Sequence, residues 1–259
     1  MSGIGLGIDV GGSGIKGAPV DLATGELRAE RRRIETPQPS TPDAVAEVVA
    51  QLAGHFADEL GDGVIGVTVP GVVTYGVVRT AANIDHAWIG TDADALFTGR
   101  LGRPVHIVND ADAAGVAEAR FGAARSTKGL VVVTTLGTGI GTALLLDGKL
   151  VPNSELGHLE IDGFDAESRA AYSVRENENL SWPDWAARLQ RYYSVIEDLL
   201  WPALIVVGGG VSKKADKFLP LLHLRAPIVA AQLRNEAGIV GAAVLADEEA
   251  RSDPAHGPP

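Results

Sequence analysis

The chain has no cysteine and one methionine among 259 residues. Without a thiol it cannot form a disulfide, build a thiolate zinc site or attack a substrate through sulfur. Cations are also in deficit: 22 Lys and Arg stand against 33 Asp and Glu, a formal net charge of −11. That balance argues against non-specific nucleic-acid binding, which needs cationic patches. The longest apolar stretch, Leu130 to Leu146, is interrupted by Thr and by Gly137, Gly139 and Gly141, too broken to span a membrane. No basic stretch leads into an apolar run and a small-residue cleavage site at the N-terminus, so a cytoplasmic protein is expected. A composition of 46% hydrophobic and 21% charged residues fits one large domain or two modest lobes. The Pro-bearing tail, 248–259, reads as disordered.

Glycine is in surplus: 32 residues, about 12% against about 7% in average usage. Ile4 to Val10 reads as a buried strand, Gly11-Gly12-Ser13-Gly14 as a turn and Ile15 to Val20 as a returning strand. Leu130 to Leu136, Gly137-Thr138-Gly139-Ile140-Gly141 and Thr142 to Leu146 repeat the plan. Gly12 to Ile15 matches Gly137 to Ile140 in type at every position, an internal repeat marking two related lobes. Each hairpin passes through a polar turn, Asp21 to Gly25 or Asp147-Gly148, toward a further strand. The remaining pattern predicts a helix over Pro42 to Leu60 capped by Thr41, strands over Val64 to Val69 and Val105 to Val108, and a helix over Ala111 to Phe121. A long helix over Trp182 to Leu200, a strand over Leu204 to Val207 and a final helix over Asn235 to Leu245 follow. The sum is an α/β protein of two lobes.

Asp9 ends a strand at the first glycine turn, and Lys16 lies just beyond it. Backbone N–H groups in such a turn can cradle phosphate oxygens, with Asp9 holding hydrated magnesium and Lys16 pairing with an anion. A tight hairpin that needs positive φ accounts for the same glycines. Two such turns suit the terminal phosphates of an anionic donor, and neither is a P-loop, since Gly-Lys-Ser/Thr is missing. Asn109-Asp110 sits where a strand passes into a helix, an address for functional groups and equally for a helix cap. Glu155-Leu156-Gly157-His158 joins a carboxylate and an imidazole, suited to vicinal hydroxyls or to a plain surface turn. With no cysteine and few histidines near His158, zinc is not expected. Gly208-Gly209-Gly210 with Lys213, Lys214 and Lys217 is either a backbone-approach site beside cations or a solvated basic helix start.

Taken in order, DVGGSGIKG from Asp9, VNDADAA from Val108, LGTGIG from Leu136, ELGH from Glu155 and VVGGGVSKK from Val206 resemble the motifs of ROK-family sugar kinases. The resemblance covers nearly the whole chain and is closest to the actinobacterial polyphosphate glucokinases. It implies a two-lobed actin-like ATPase (sugar kinase/Hsp70/actin) fold with a central cleft. The small lobe would be 1–109 with a helix of about 237–247 returning to it, and the larger lobe 110–236. It also implies phosphoryl transfer from inorganic polyphosphate or ATP to the 6-hydroxyl of glucose, Mg2+ as cofactor, and a homodimer. By the family pattern Asp110 is the general base, and Gly71, Asn83, Asn109, Glu155, His158 and Glu167 contact glucose. Gly11, Gly12, Ser13, Gly14, Lys16, Gly137, Thr138, Gly139, Gly209, Gly210, Lys213 and Lys214 would hold the donor, with Asp9 on magnesium. The chain departs from the broad family around Gly163 to Ser173, where the cysteine-rich zinc motif preceding a sugar-binding glutamate is absent. That departure leaves Glu167 less well defined than the rest.

An ATP-dependent glucose or hexosamine kinase would use the same residues. A sugar-sensing regulator of this family carries an N-terminal DNA-binding domain, for which a phosphate motif beginning at Asp9 leaves no room. A silent sugar-binding module would not need both Asp9 and Asp110. Between donors, a linear polymer needs N–H turns, magnesium and a basic track, whereas ATP also needs an adenine pocket. The Gly208 to Lys217 segment has no aromatic residue near it before Phe218.

Overall fold

In a computed structural model, which describes residues 3–252, both glycine-turned hairpins form. The first half of the chain runs β1 (Ile4–Val10), β2 (Ile15–Asp21), β3 (Arg32–Ile34), α1 (Pro42–His55), α2 (Ala57–Leu60), β4 (Val64–Val69), β5 (Val73–Thr74), β6 (Val77–Val78), α3 (Ala93–Leu101), β7 (Val105–Asn109) and α4 (Asp110–Phe121). The second half runs β8 (Leu130–Leu136), β9 (Ile140–Leu146), β10 (Lys149–Val151), β11 (Glu160–Ile161), β12 (Phe164–Asp165), α5 (Glu167–Ala170), α6 (Tyr172–Asn177), α7 (Trp182–Leu200), β13 (Leu204–Gly208), β14 (Ile228–Ala230) and α8 (Ala237–Ser252). Two units result: the described residues up to Ala113 together with those from Glu236, and Ala114–Asn235.

The first unit is built on a sheet of order β3-β2-β1-β4-β7. Strand alternation sends Leu6 and Ile8 into a core with Val45, Val49, Leu52 and Phe97, all fully buried, each stabilising by about 1.5–3 kcal/mol. The alternate positions carry glycine, because α8 lies directly on the strands. A Cβ on Gly7 would collide with the carbonyl of Ile239, and one on Gly66 with that of Ala242. Thr41 caps α1 by accepting from Ala44 N. The expected helix to Leu60 breaks at Phe56, which leaves helical geometry at φ −104° and buries its ring in the core. The final helix starts at Ala237, after a 3-10 turn over Arg234–Glu236, and runs to Ser252. Residues 248–252, expected as tail, are therefore helical, and Asp247 pairs with Arg251 one turn on at 2.7 Å. The rest of the expected tail, 253–259, lies outside the described residues.

In the second unit the sheet order is β10-β9-β8-β13-β14. As in the first, a three-stranded antiparallel meander is extended by two parallel strands, so the repeat seen in the glycine turns is a repeat of topology. Asp147 and Gly148, at φ 51° and 78°, supply the left-handed pair that a two-residue turn between β9 and β10 requires. Helix α7 packs Trp185, Leu189, Tyr193 and Ile196 against Val132, Ile205 and Val207. Trp185 Nε1 donates to Ala170 O at 3.0 Å, tying α7 to α5. Among the described residues no helix is long and apolar enough to cross a membrane.

Candidate active site

The hairpin β1–β2 closes through Gly11 N donating to Gly14 O at 3.2 Å. None of Gly11, Gly12 and Gly14 adopts positive φ, so left-handed backbone is not why they are glycine. Close approach accounts for Gly12, where a Cβ would sit 2.8 Å from Asn83 O, and the Arg33 guanidinium fills the space beside Gly14. Arg33 Nη2 donates to Ser13 O at 2.6 Å. This cation was missed in the sequence; it stands opposite Lys16 in the β2–β3 register. Asp9 Oδ1 accepts from Thr68 Oγ1 at 3.0 Å, and Lys16 Nζ lies 3.6 Å from Asp9 Oδ2. Lys16, expected to pair with an anion, here pairs with Asp9. Gly238 keeps space beside that carboxylate, where a Cβ would come within 3.1 Å. A single accessible carboxylate suits magnesium, which takes one or two carboxylates and completes its shell with water and substrate phosphates.

Asn109 ends β7 and is buried. Its Oδ1 accepts from Ala111 N at 2.8 Å and Asp112 N at 2.9 Å, while Nδ2 donates to Gly71 O at 3.0 Å. Asn109 is thus the cap of α4. Its oxygen is fully used, leaving one amide N–H as its means of meeting a sugar hydroxyl. Asp110 opens the helix, with Oδ1 accepting from Ala111 N at 2.9 Å, where the helix dipole favours negative charge. Gly71 is needed where it is, because a Cβ would collide with the carbonyl of Thr80. Gly71, Asn109 and Asp110 therefore meet, and Asn83, in left-handed geometry at φ 61°, is set against the first glycine turn.

In the second unit, Gly137 N donates to Gly139 O at 3.0 Å, Ser173 N to Gly137 O at 3.0 Å and Ser173 Oγ to Thr138 O at 2.6 Å. Gly137 and Gly139 also lack positive φ. Glu167 Oε2 accepts from Ile140 N at 3.0 Å and occupies the space a side chain on Gly139 would need, so this sugar candidate also braces the turn. Gly209 does need left-handed geometry, at φ 78°, and a Cβ there would crowd the backbone of Leu136. A 3-10 segment, Gly210–Lys217, follows; Lys213 in it is exposed. Lys214 Nζ donates to Tyr172 Oη at 2.9 Å, and Tyr172 stacks with Trp182 at 6.3 Å. Aromatic rings thus do lie beside the Gly208 to Lys217 segment, brought by α6 and α7 from a stretch distant in sequence.

The ELGH stretch is more than a surface turn. Leu156–His158 forms a 3-10 turn held against β9, where a Cβ on Gly157 would collide with the carbonyl of Ile140. His158 Nδ1 lies 2.9 Å from Asp165 Oδ2, and Nε2 lies 3.8 Å from Glu155 Oε2. Asp165 Oδ1 also accepts from Glu167 N at 3.1 Å. One ligand-type atom from each of His158, Asp165 and Glu167 lies within 4.8 Å of the others. The hydrogen bond to Asp165 raises the His158 pKa above its usual 6.5, and burial raises that of Glu155 above 4.5. Asp165 was missed in the sequence; it falls in the stretch where the zinc motif is absent.

Two α/β units with matched sheet orders, a glycine turn in each and a carboxylate at a strand-to-helix junction define a sugar-kinase fold. The chain belongs to the ROK family, whose model matches residues 5–179. It is 54% identical over 241 residues, 93% of this chain and 90% of the relative, to a polyphosphate glucokinase of Mycobacterium tuberculosis. The crystal structure of an inorganic polyphosphate/ATP-glucomannokinase from Arthrobacter sp. strain KM is 56% identical, with a TM-score of 0.92 over 95% of this chain and 99% of that one. A ROK family glucokinase from Streptomyces griseus, in complex with glucose and AMPPNP, aligns with a TM-score of 0.82 at 24% identity, over 95% and 100% of the two chains. The fold is the actin-like ATPase fold of these kinases.

Proposed function

We propose that the chain transfers the terminal phosphoryl group of inorganic polyphosphate, with ATP as a second donor, to the 6-hydroxyl of glucose, giving glucose 6-phosphate. The observation that carries this is 54% identity along 93% of the chain to a polyphosphate glucokinase. The roles assigned to Asp9, Asp110, Glu155, His158 and both glycine turns are supported by the resemblance of the motifs that hold them to those of the family.

A sugar hydroxyl is a poor nucleophile at neutral pH. In this reading Asp110 accepts its proton as the bond to phosphorus forms, and Asn109 fixes Asp110 by capping the same helix. In the same reading Asn83, Gly71, Glu155, His158 and Glu167 take the sugar's other hydroxyls. Asp9 would hold magnesium, directly or through water, and the ion would neutralise charge on the phosphates. The glycine turns at 11–14, 137–139 and 209–210, with Lys16, Lys213 and Lys214, hold the donor. The same reading includes a homodimer, which sedimentation would test. A coupled assay for glucose 6-phosphate, run with polyphosphate and with ATP, tests the function. Product with both supports it, product with ATP alone leaves an ATP-dependent kinase, and product with neither removes the activity.

A further inference from the structure

A patch of cations in the second unit joins Lys214 to two residues, Arg175 and Lys217, that have no part in the account above. Arg175 of α6 lays its guanidinium over the ring of Trp182, 3.8 Å from the centroid. Lys217 Nζ lies 5.7 Å from the same centroid, and Lys214 Nζ 5.4 Å from that of Tyr172. Among the described residues none of these three cations forms an ion pair with a carboxylate. Arg175 Nε is buried without a hydrogen-bond partner, so the guanidinium is held by the ring and not by an acid. In a chain of net charge −11, three uncompensated cations gathered on two aromatic rings call for an anion.

The patch is continuous with the donor turns. Ser173, between Tyr172 and Arg175 on α6, binds the carbonyls of Gly137 and Thr138. Lys214 and Lys217 follow Gly209, which is packed on the end of β8. The patch offers no bare aromatic face on which a nucleotide base could stack: Trp182 already stacks on Phe218 at 6.1 Å and on Tyr172 at 6.3 Å and carries Arg175. Rings used in this way fix cations and turn their charge outward. Polyphosphate has no base and presents one charge per repeating unit.

We infer that Arg175, Lys214 and Lys217 form an outer seat for the donor, binding phosphate units of a polyphosphate chain beyond its reacting end. The inference rests on the polyphosphate reading above. Its consequence is dependence on polymer length: a long chain reaches the seat, and a short one does not.

The test is the double variant R175Q/K217Q, assayed with long-chain polyphosphate, tripolyphosphate and ATP. Two charge contacts are lost, one at half-buried Arg175 and one at exposed Lys217, so kcat/KM with the long polymer should fall about tenfold, while tripolyphosphate and ATP stay within about twofold. The log–log dependence of KM on salt for the long polymer should also flatten by about one to two units, as for other linear polyanions. Equal loss with all three donors, or no loss with the long polymer, overturns the outer seat while wild-type use of polyphosphate keeps the functional reading. A wild type that uses no polyphosphate overturns that reading and this inference with it. If the double variant fails to fold, K217Q alone, at an exposed position, must show the same length-dependent loss at smaller size, and its absence overturns the proposal.

Discussion

Asn109 and Asp110 are neighbours with different tasks. Asn109 spends its oxygen on two helix N–H groups, while Asp110 brings a carboxylate to the helix start. Asp110→Asn keeps the shape and removes the base, so kcat should fall about a thousandfold with glucose affinity within about threefold. Calorimetry beside steady-state kinetics separates the two quantities; near-normal turnover would take Asp110 out of the base role. His158 carries a pH dependence. Its folded pKa is raised above 6.5, first by the hydrogen bond to Asp165. The stability this gives is complete below pH 6.5 and is lost as pH rises through the folded value. The ring is more than half exposed, so the stability effect is small. In the proposed sugar role protonated His158 would donate from both nitrogens, so KM for glucose should rise as pH passes the folded pKa. Asp165→Asn should move that rise to lower pH and raise KM about three- to tenfold. An unchanged KM–pH profile contradicts the arrangement. Asp110, Glu155 and His158 could be singled out as candidates because each lies inside a short run of sequence. Asp165 and Arg33 could not, since a return strand brings one to His158 and strand register sets the other against Lys16.

At the scale of elements, β1, β2, β4, β7, β8, β9, β13, α4 and α7 were legible from periodicity to within one or two residues, whereas α3, α5, α6 and β14 were not anticipated. Helical spacing continues through Phe56, and only the burial of its ring breaks the helix there. The glycines of both turns were legible as turns, but the reason for them was not: approach by Asn83, Arg33 and Glu167 is tertiary. Helix α4 holds a further feature hidden from sequence. Glu118 is 1% exposed and accepts from Ala123 N at 2.7 Å, Gln232 N at 3.1 Å and Leu233 N at 2.7 Å. Glu118→Ala strips the partner from these backbone donors and should cost about 3 kcal/mol, lowering the thermal midpoint by about 6–12 °C in a protein of this size. Calorimetric melting checks it, and a midpoint within a degree of wild type would refute the clasp.

Across the whole molecule, the internal repeat legible in Gly12 to Ile15 and Gly137 to Ile140 corresponds to two sheets of the same order. An acidic chain acting on a polyanion is consistent because charges farther than about 8 Å are largely screened at physiological salt. In the proposed reading local cations therefore decide: Lys16, here paired with Asp9, in one group, and Arg175, Lys214 and Lys217 in the second. The aromatic companions of the second group were not legible, since Tyr172 and Trp182 stand far in sequence from Lys214. The central claim is that polyphosphate phosphorylates glucose on this chain with no nucleotide present. Phosphorus NMR of the protein with magnesium, glucose and polyphosphate tests it most directly. The account predicts a growing glucose 6-phosphate signal matched one for one by phosphate units lost from the polymer, without accumulation of orthophosphate. A monoester signal that grows only after ATP is added, or orthophosphate released without monoester, would contradict it.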